Sequence, residues 1–129
     1  GIAVNVDVKG TYTGDKEWSR EALTNILKNC MEHTGDGGVI SITGCENAVH
    51  TELIIEDTGC GIDSDDLPHI FERFYKGKNG KSDSYGIGLA LARAIIAGQN
   101  GTIKAENIAE NAEKMSGARF VIRFYKSVV

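Results

Sequence analysis

Apolar side chains fall at every second position over Ile2, Val4, Val6 and Val8, which predicts a strand over 2–8 with one apolar face. Turn-forming residues fill 9–14, and Asp15 is suited to cap a helix. From there Trp18, Ala22, Leu23, Ile26, Leu27 and Cys30 recur every three or four positions. That period predicts an amphipathic helix of about 18 residues, stopped by Gly35-Asp36-Gly37-Gly38. Short apolar strands follow at 39–43 and 52–56, joined by a polar turn over 45–50. Leu67, Ile70, Phe71 and Phe74 suggest a short helix around Pro68. Residues 75–85 show no apolar period and read as a mobile loop. A helix then opens at Gly86-Ile87-Gly88, buries Leu89, Ala92, Ile95 and Ile96, and ends near Asn100-Gly101. Strands at 103–106 and 119–125 close the chain, with a polar loop over 107–116 between them. Strands are not each followed by a crossover helix, so a doubly wound sheet does not fit. The expected fold is α+β: a two-layer sandwich of a mixed, mostly antiparallel sheet with about three helices on one face.

The chain has 129 residues, 41% of them hydrophobic, enough to bury one core as a single domain over 1–129. It contains no apolar run near the roughly 20 residues that span a bilayer and no signal-peptide pattern. Because it starts inside a strand, it is expected to be a domain of something longer. Fourteen Lys and Arg against eighteen Asp and Glu give −4, which argues against non-specific nucleic-acid binding. Cys30, Cys45 and Cys60 cannot all pair and form no C-x-x-C, so reduced thiols in the cytosol are expected.

Four stretches carry candidate chemistry. Asn25, Asn29, Glu32 and His33 share one helical stripe, away from the apolar one. Stacked carboxamides can offer oxygens to a hard cation and N–H groups to phosphate, though alone they read equally as solvated helix residues. Asp57-Thr58-Gly59-Cys60-Gly61 follows an apolar strand; it is either a tight turn or an acceptor beside bare backbone that a flat ring can approach. Gly86-Ile87-Gly88 at a helix start suits a phosphate or a flexible junction. Arg73, Lys76, Lys78 and Lys81 make a basic loop in an acidic chain: a solvated loop, or a lid over a polyanion.

Their joint order resembles one family. Asn25-Ile-Leu-Lys-Asn29-Cys-Met-Glu-His33-Thr34 resembles the N box of sensor histidine kinases, and Asp57-Thr-Gly59-Cys-Gly61-Ile62 their G1 box. Ile70-Phe71-Glu72-Arg73-Phe74-Tyr75-Lys76 is similar to the F box, and Gly86-Ile-Gly88-Leu89-Ala90-Leu91 to the G2 box. Gly117-Ala118-Arg119-Phe120 is similar to the closing strand. The resemblance implies the catalytic, ATP-binding domain with a Bergerat-type fold, and ATP with Mg²⁺ as its cofactors. It implies Asn29 on Mg²⁺, Asn25 on the phosphates and His33 beside the adenine. Asp57 would accept the adenine amino group, with Gly59, Gly61, Ile62 and Leu89 completing the nucleotide contacts. Lys76, Lys78 and Lys81 would belong to the lid, Gly86 and Gly88 would admit the phosphates, and Phe71 and Phe74 would anchor the lid's base in the core.

Three positions depart from the family pattern. Glu32 stands where Lys is common, Asn100 where Gly usually follows the helix, and Ser84-Tyr85 precede Gly86. Hydrolysing relatives in the wider superfamily carry a Glu one turn before the metal-binding Asn; Asn25 is there instead and cannot take a proton at neutral pH. That favours transfer to a histidine over hydrolysis. His33, His50 and His69 are not followed by Glu or Asp, so the acceptor is expected on a separate dimerisation domain of the same receptor. The implied partners are that domain and a response regulator, with no nucleic acid and no membrane contact by this part. A monomeric fragment, a homodimeric parent in the cell membrane and a cytoplasmic position for this domain complete the expectation. The alternatives are a degenerate docking module of the same fold, or an ATPase of the wider superfamily.

Overall fold

The computed structural model describes residues 1–75, 87–109 and 115–127, without the Met115 side chain. Among the described residues five strands form one sheet: β1 (Ala3–Val8), β2 (Val39–Glu46), β3 (His50–Asp57), β4 (Gly101–Ala109) and β5 (Met115–Tyr125), in the order β1-β2-β3-β5-β4. β1 runs parallel to β2 and the remaining pairs are antiparallel. Helices α1 (Lys16–His33) and α2 (Gly88–Gly98) join one core cluster with the sheet. The predicted element at Pro68 is a single 3-10 turn over Leu67–His69.

Asp15 caps α1: its Oδ1 accepts from the Trp18 N–H at 2.9 Å. Ala22, Ile26 and Cys30, spaced by four, are buried, and full burial of Ile26 contributes about 1.5–3 kcal/mol. They meet Ile40, Leu53, Ile55, Phe120, Ile122 and Phe124 from the sheet and Ala92, Ile95 and Ile96 from α2. Tyr12 closes one end of this core by stacking on Phe124, with ring centroids 3.8 Å apart.

The helices run side by side in opposite senses. Gln99, just past α2, accepts from the Asp15 N–H at 2.5 Å and from Ser19 Oγ at 3.3 Å. At the other end, a Cβ on Gly88 would lie 3.8–4.0 Å from the Asn25 side chain. One tether thus fixes where α2 begins relative to α1. Asn100 takes the left-handed conformation (φ 61°) that usually favours glycine after a helix, and its Nδ2 donates to the Tyr125 carbonyl at 3.0 Å.

Three sequence expectations change. The polar turn shortens, because Asn47 Oδ1 accepts from the N–H groups of both Val49 and His50; Cys45 and Glu46 therefore continue β2. The expected 107–116 loop is ladder wherever it is described, with Asn107 opposite Ala118 and Ile108 opposite Gly117. Backbone pairing needs no apolar side chains, so the polar composition there was misleading. The valine stripe of β1 is largely uncovered: Val4, Val6 and Val8 are 52%, 65% and 44% exposed, because β1 is the edge strand of the sheet.

Candidate functional site

The expected site residues come from α1, the β3 end with its following loop, and the start of α2. Asn25, Asn29 and His33 lie on α1 at i, i+4 and i+8, each partly buried. Gly88 is the first residue of α2 and sits against Asn25. The N-terminus of an eleven-residue helix, whose first-turn N–H groups fall outside the helix's own ladder, thus lies beside a carboxamide.

Asp57 ends β3, is 3% exposed, and is held from two directions. Its Oδ1 accepts from the Gly59 N–H at 2.9 Å and from the Ala118 N–H of β5 at 3.1 Å. Both backbone bonds fall on Oδ1, and the Cys30 thiol also hydrogen-bonds the carboxylate. Cys30 lies behind it; burial first, and the Asp57 charge second, push the thiol pKa up and keep it protonated.

The loop after Asp57 folds onto the end of α1. A Cβ on Gly59 would overlap the His33 carbonyl oxygen and stand 2.8 Å from its carbon, so only glycine permits this approach. Thr58 pairs with Val39 through two bonds, Oγ1 accepting at 2.9 Å and its N–H donating at 3.1 Å. Gly61 is buried with φ 77°. Ile62 and Leu89 both pack against the core cluster.

Asn25 meets Gly88, His33 meets Gly59, and Asp57 meets Gly59, so three of the four sequence stretches converge. The fourth carries Lys76, Lys78 and Lys81, which with Gly86 lie outside the described residues. The two expected phenylalanine anchors part company. Phe71 packs edge-on to Phe120, with centroids 6.4 Å apart, whereas Phe74 is 67% exposed with φ 63°. Phe74 does not anchor in the core: the chain turns outward there, and Tyr75 is tied instead to Asp66 by a 2.5 Å hydroxyl–carboxylate bond. That bond, burial and the Asp66 charge push the Tyr75 pKa up to about 12.

The sequence pattern assigned no role to Asn107, and none to Gly117 or Ala118 beyond their place in the closing strand. Asn107 Oδ1 accepts from the Ile62 N–H and its Nδ2 donates to the Ile62 carbonyl, both at 2.7 Å. Gly117, at φ 144°, brings β5 so near that a Cβ would overlap the Asp57 carbonyl oxygen. Alternation would have placed position 107 on the inner face of β4, the one available signal.

Residues 14–127 match the family described as histidine kinase-, DNA gyrase B-, and HSP90-like ATPase. The heme sensor protein HssS of Staphylococcus saprophyticus is 34% identical over 116 residues, covering 90% of this chain and 24% of that protein. Sensor histidine kinase YclK of Bacillus subtilis is 36% identical over 107 residues, covering 80% and 21%. Among solved structures, the mycobacterial sensor histidine kinase MprB matches with TM-score 0.86 at 25% identity, covering 96% of this chain and 83% of that one. The chain belongs to the histidine kinase-, DNA gyrase B- and HSP90-like ATPase family, as a catalytic ATP-binding domain of the sensor histidine kinase type. It spans less than a quarter of the length of these two curated relatives.

Proposed function

We propose that this chain is a single domain that binds Mg·ATP beside α1 and donates the γ-phosphate to a histidine on a separate dimerisation domain. The observation that supports it most is the placement of Asn25 against Gly88, the free N-terminal end of α2. A polyphosphate lying there meets helix N–H groups and a carboxamide donor together. Asp57 would take the adenine amino group on Oδ2, and Gly59, Gly61 and Ile62 would lie along the base. His33 would flank it.

Asn29 is the residue to hold Mg²⁺: its carboxamide oxygen is a hard donor, and Mg²⁺ takes few protein ligands beside phosphates and water. The ion supplies charge neutralisation across the phosphates. Asn25 can donate to phosphate oxygens but cannot accept a proton, so water is not activated here. A neutral imidazole needs no base: its nitrogen forms the new bond to the γ-phosphorus while the bond to the β–γ bridging oxygen breaks. Lys76, Lys78 and Lys81 would complement the phosphate charge. The histidine and, downstream, a response regulator are the partners; the parent would be a homodimer in the cell membrane with this domain on the cytoplasmic side.

Mixing the chain with the dimerisation domain of its own longer protein and Mg·ATP should place phosphate on a histidine, acid-labile and base-stable, and Asn29→Ala should abolish the transfer. Rapid ATP hydrolysis by the chain alone, lost in Asn29→Ala, would instead make it an ATPase.

Glu32 favours a second reading, a docking module without catalysis. It is exposed, three residues from Asn29, and carries the charge a phosphate avoids. Glu32→Lys should tighten Mg·ATP binding roughly three- to tenfold, the scale of one exposed charge reversal, read by calorimetry. Weaker binding in that variant would mean that the carboxylate serves the metal.

A further inference from the structure

We propose that Asn107 is a positioning residue that sets nucleotide affinity and base preference by fixing the loop between Asp57 and Ile62. The inference rests on the nucleotide reading above and assigns the β4–β5 hairpin a part in it. Asn107 is on β4, 45 residues from Ile62 in sequence, yet one side chain satisfies both backbone polar groups of Ile62, each at 2.7 Å. The loop has no regular ladder after Thr58, so this carboxamide does for Ile62 what a neighbouring strand does elsewhere.

The same hairpin reaches the loop's other end. Opposite Asn107 in the β4–β5 ladder is Ala118, whose N–H donates to Asp57 Oδ1. One rung of one hairpin therefore grips both the acid and the backbone five residues later. Between these two grips lie Gly59 and Gly61, whose backbone gives the loop no side-chain hold of its own. A rigid rung at both ends fixes where the Asp57 carboxylate stands relative to the surface a base would lie on.

The chemistry needs both halves of the amide. Asp at 107 would set a carboxylate against the Ile62 carbonyl, two acceptors facing each other. Ser is shorter and has a single hydroxyl, so it cannot hold both groups in the same geometry.

Asn107→Asp and Asn107→Ser are to be titrated beside the wild-type chain with Mg·ATP and Mg·GTP, by displacement of a fluorescent ATP analogue. Melting temperatures are taken without nucleotide. The expected result is an ATP affinity about tenfold or more lower in Asn107→Asp and lower by a smaller factor in Asn107→Ser. ATP-over-GTP preference should fall by a similar factor, since only the adenine contact depends on the aim of Asp57. Affinities and preference equal to wild type would overturn the inference, as would a fall in melting temperature with preference intact. A wild-type chain that takes up neither nucleotide overturns the nucleotide reading itself, and this inference with it. Wild-type binding matched by both variants overturns only the part assigned to Asn107.

Discussion

Asp57→Asn should weaken Mg·ATP binding about a hundredfold, the scale of losing a hydrogen bond to a charged acceptor and facing its donor with another donor. Asn is nearly isosteric. Its remaining oxygen can take the place of Oδ1, which accepts from Gly59 and Ala118, so the loop and β5 keep their bonds. The new NH₂ group then occupies the Oδ2 position and points donor hydrogens at the adenine amino group. Calorimetric titration of the variant and wild-type chain gives the affinity ratio, and a thermal melt gives the cost to the fold. A hundredfold loss with a near-native melt is the expected pair. Undiminished affinity would remove Asp57 from the site and leave the converging residues without a base-recognition group.

Gly117→Ala should be the most damaging methyl addition to the β3–β5 contact. The added carbon would overlap the Asp57 carbonyl oxygen, stand 2.8 Å from its carbon and 3.2 Å from Oδ1, at a backbone φ of 144°. Neither neighbour is a flexible side-chain tip: one is the spine of β3 and the other the clamped carboxylate. Relief requires β5 to move off β3 beside the site, and a cost of about 3 kcal/mol or more follows from combined overpacking and strain. Chemical denaturation measures it. Gly98→Ala is the matched control: nothing lies within 4 Å of that position, and an alanine at the end of α2 should stabilise by about 0.5–1 kcal/mol. Equal stability of Gly117→Ala and wild type would mean that the two strands are not held this close.

The contrast between these glycines shows what the chain alone could reveal. α1 was legible from end to end, because its period of three to four, the Asp15 cap and the Gly35–Gly38 stop agree on one answer. The strand cores at 39–43, 52–56 and 119–125 were legible because their apolar residues, among them Ile40, Leu53, Ile55, Phe120 and Ile122, are the ones the core takes up. The residues proposed for the site were legible only through the order of four short boxes; individually, Asn25 or Gly88 looks like any exposed helix residue or junction. What could not be read was the support beneath them. The Asn107 clamp spans 45 residues and the Ala118–Asp57 bond spans 61. Pairings of that range depend on sheet order, which no local pattern encodes. Phe74 misled for a related reason: its spacing from Phe71 fits a helix, but the turn at Pro68 ends after one loop of 3-10 geometry. The second ring then falls on the outside.

The bare valine stripe of β1 has a mechanical consequence. That strand hangs on a single parallel ladder to β2, and detaching it surrenders little covered hydrocarbon. Asn25, Asn29, Asp57 and Gly88, proposed to handle nucleotide, belong to α1, β3 and α2, which all contribute to the central cluster. Tension or thermal fraying entering at residue 1 would therefore unzip the first strand as a separate event. Loss of that margin would leave the elements that carry Asn25 and Asp57 with their own core contacts.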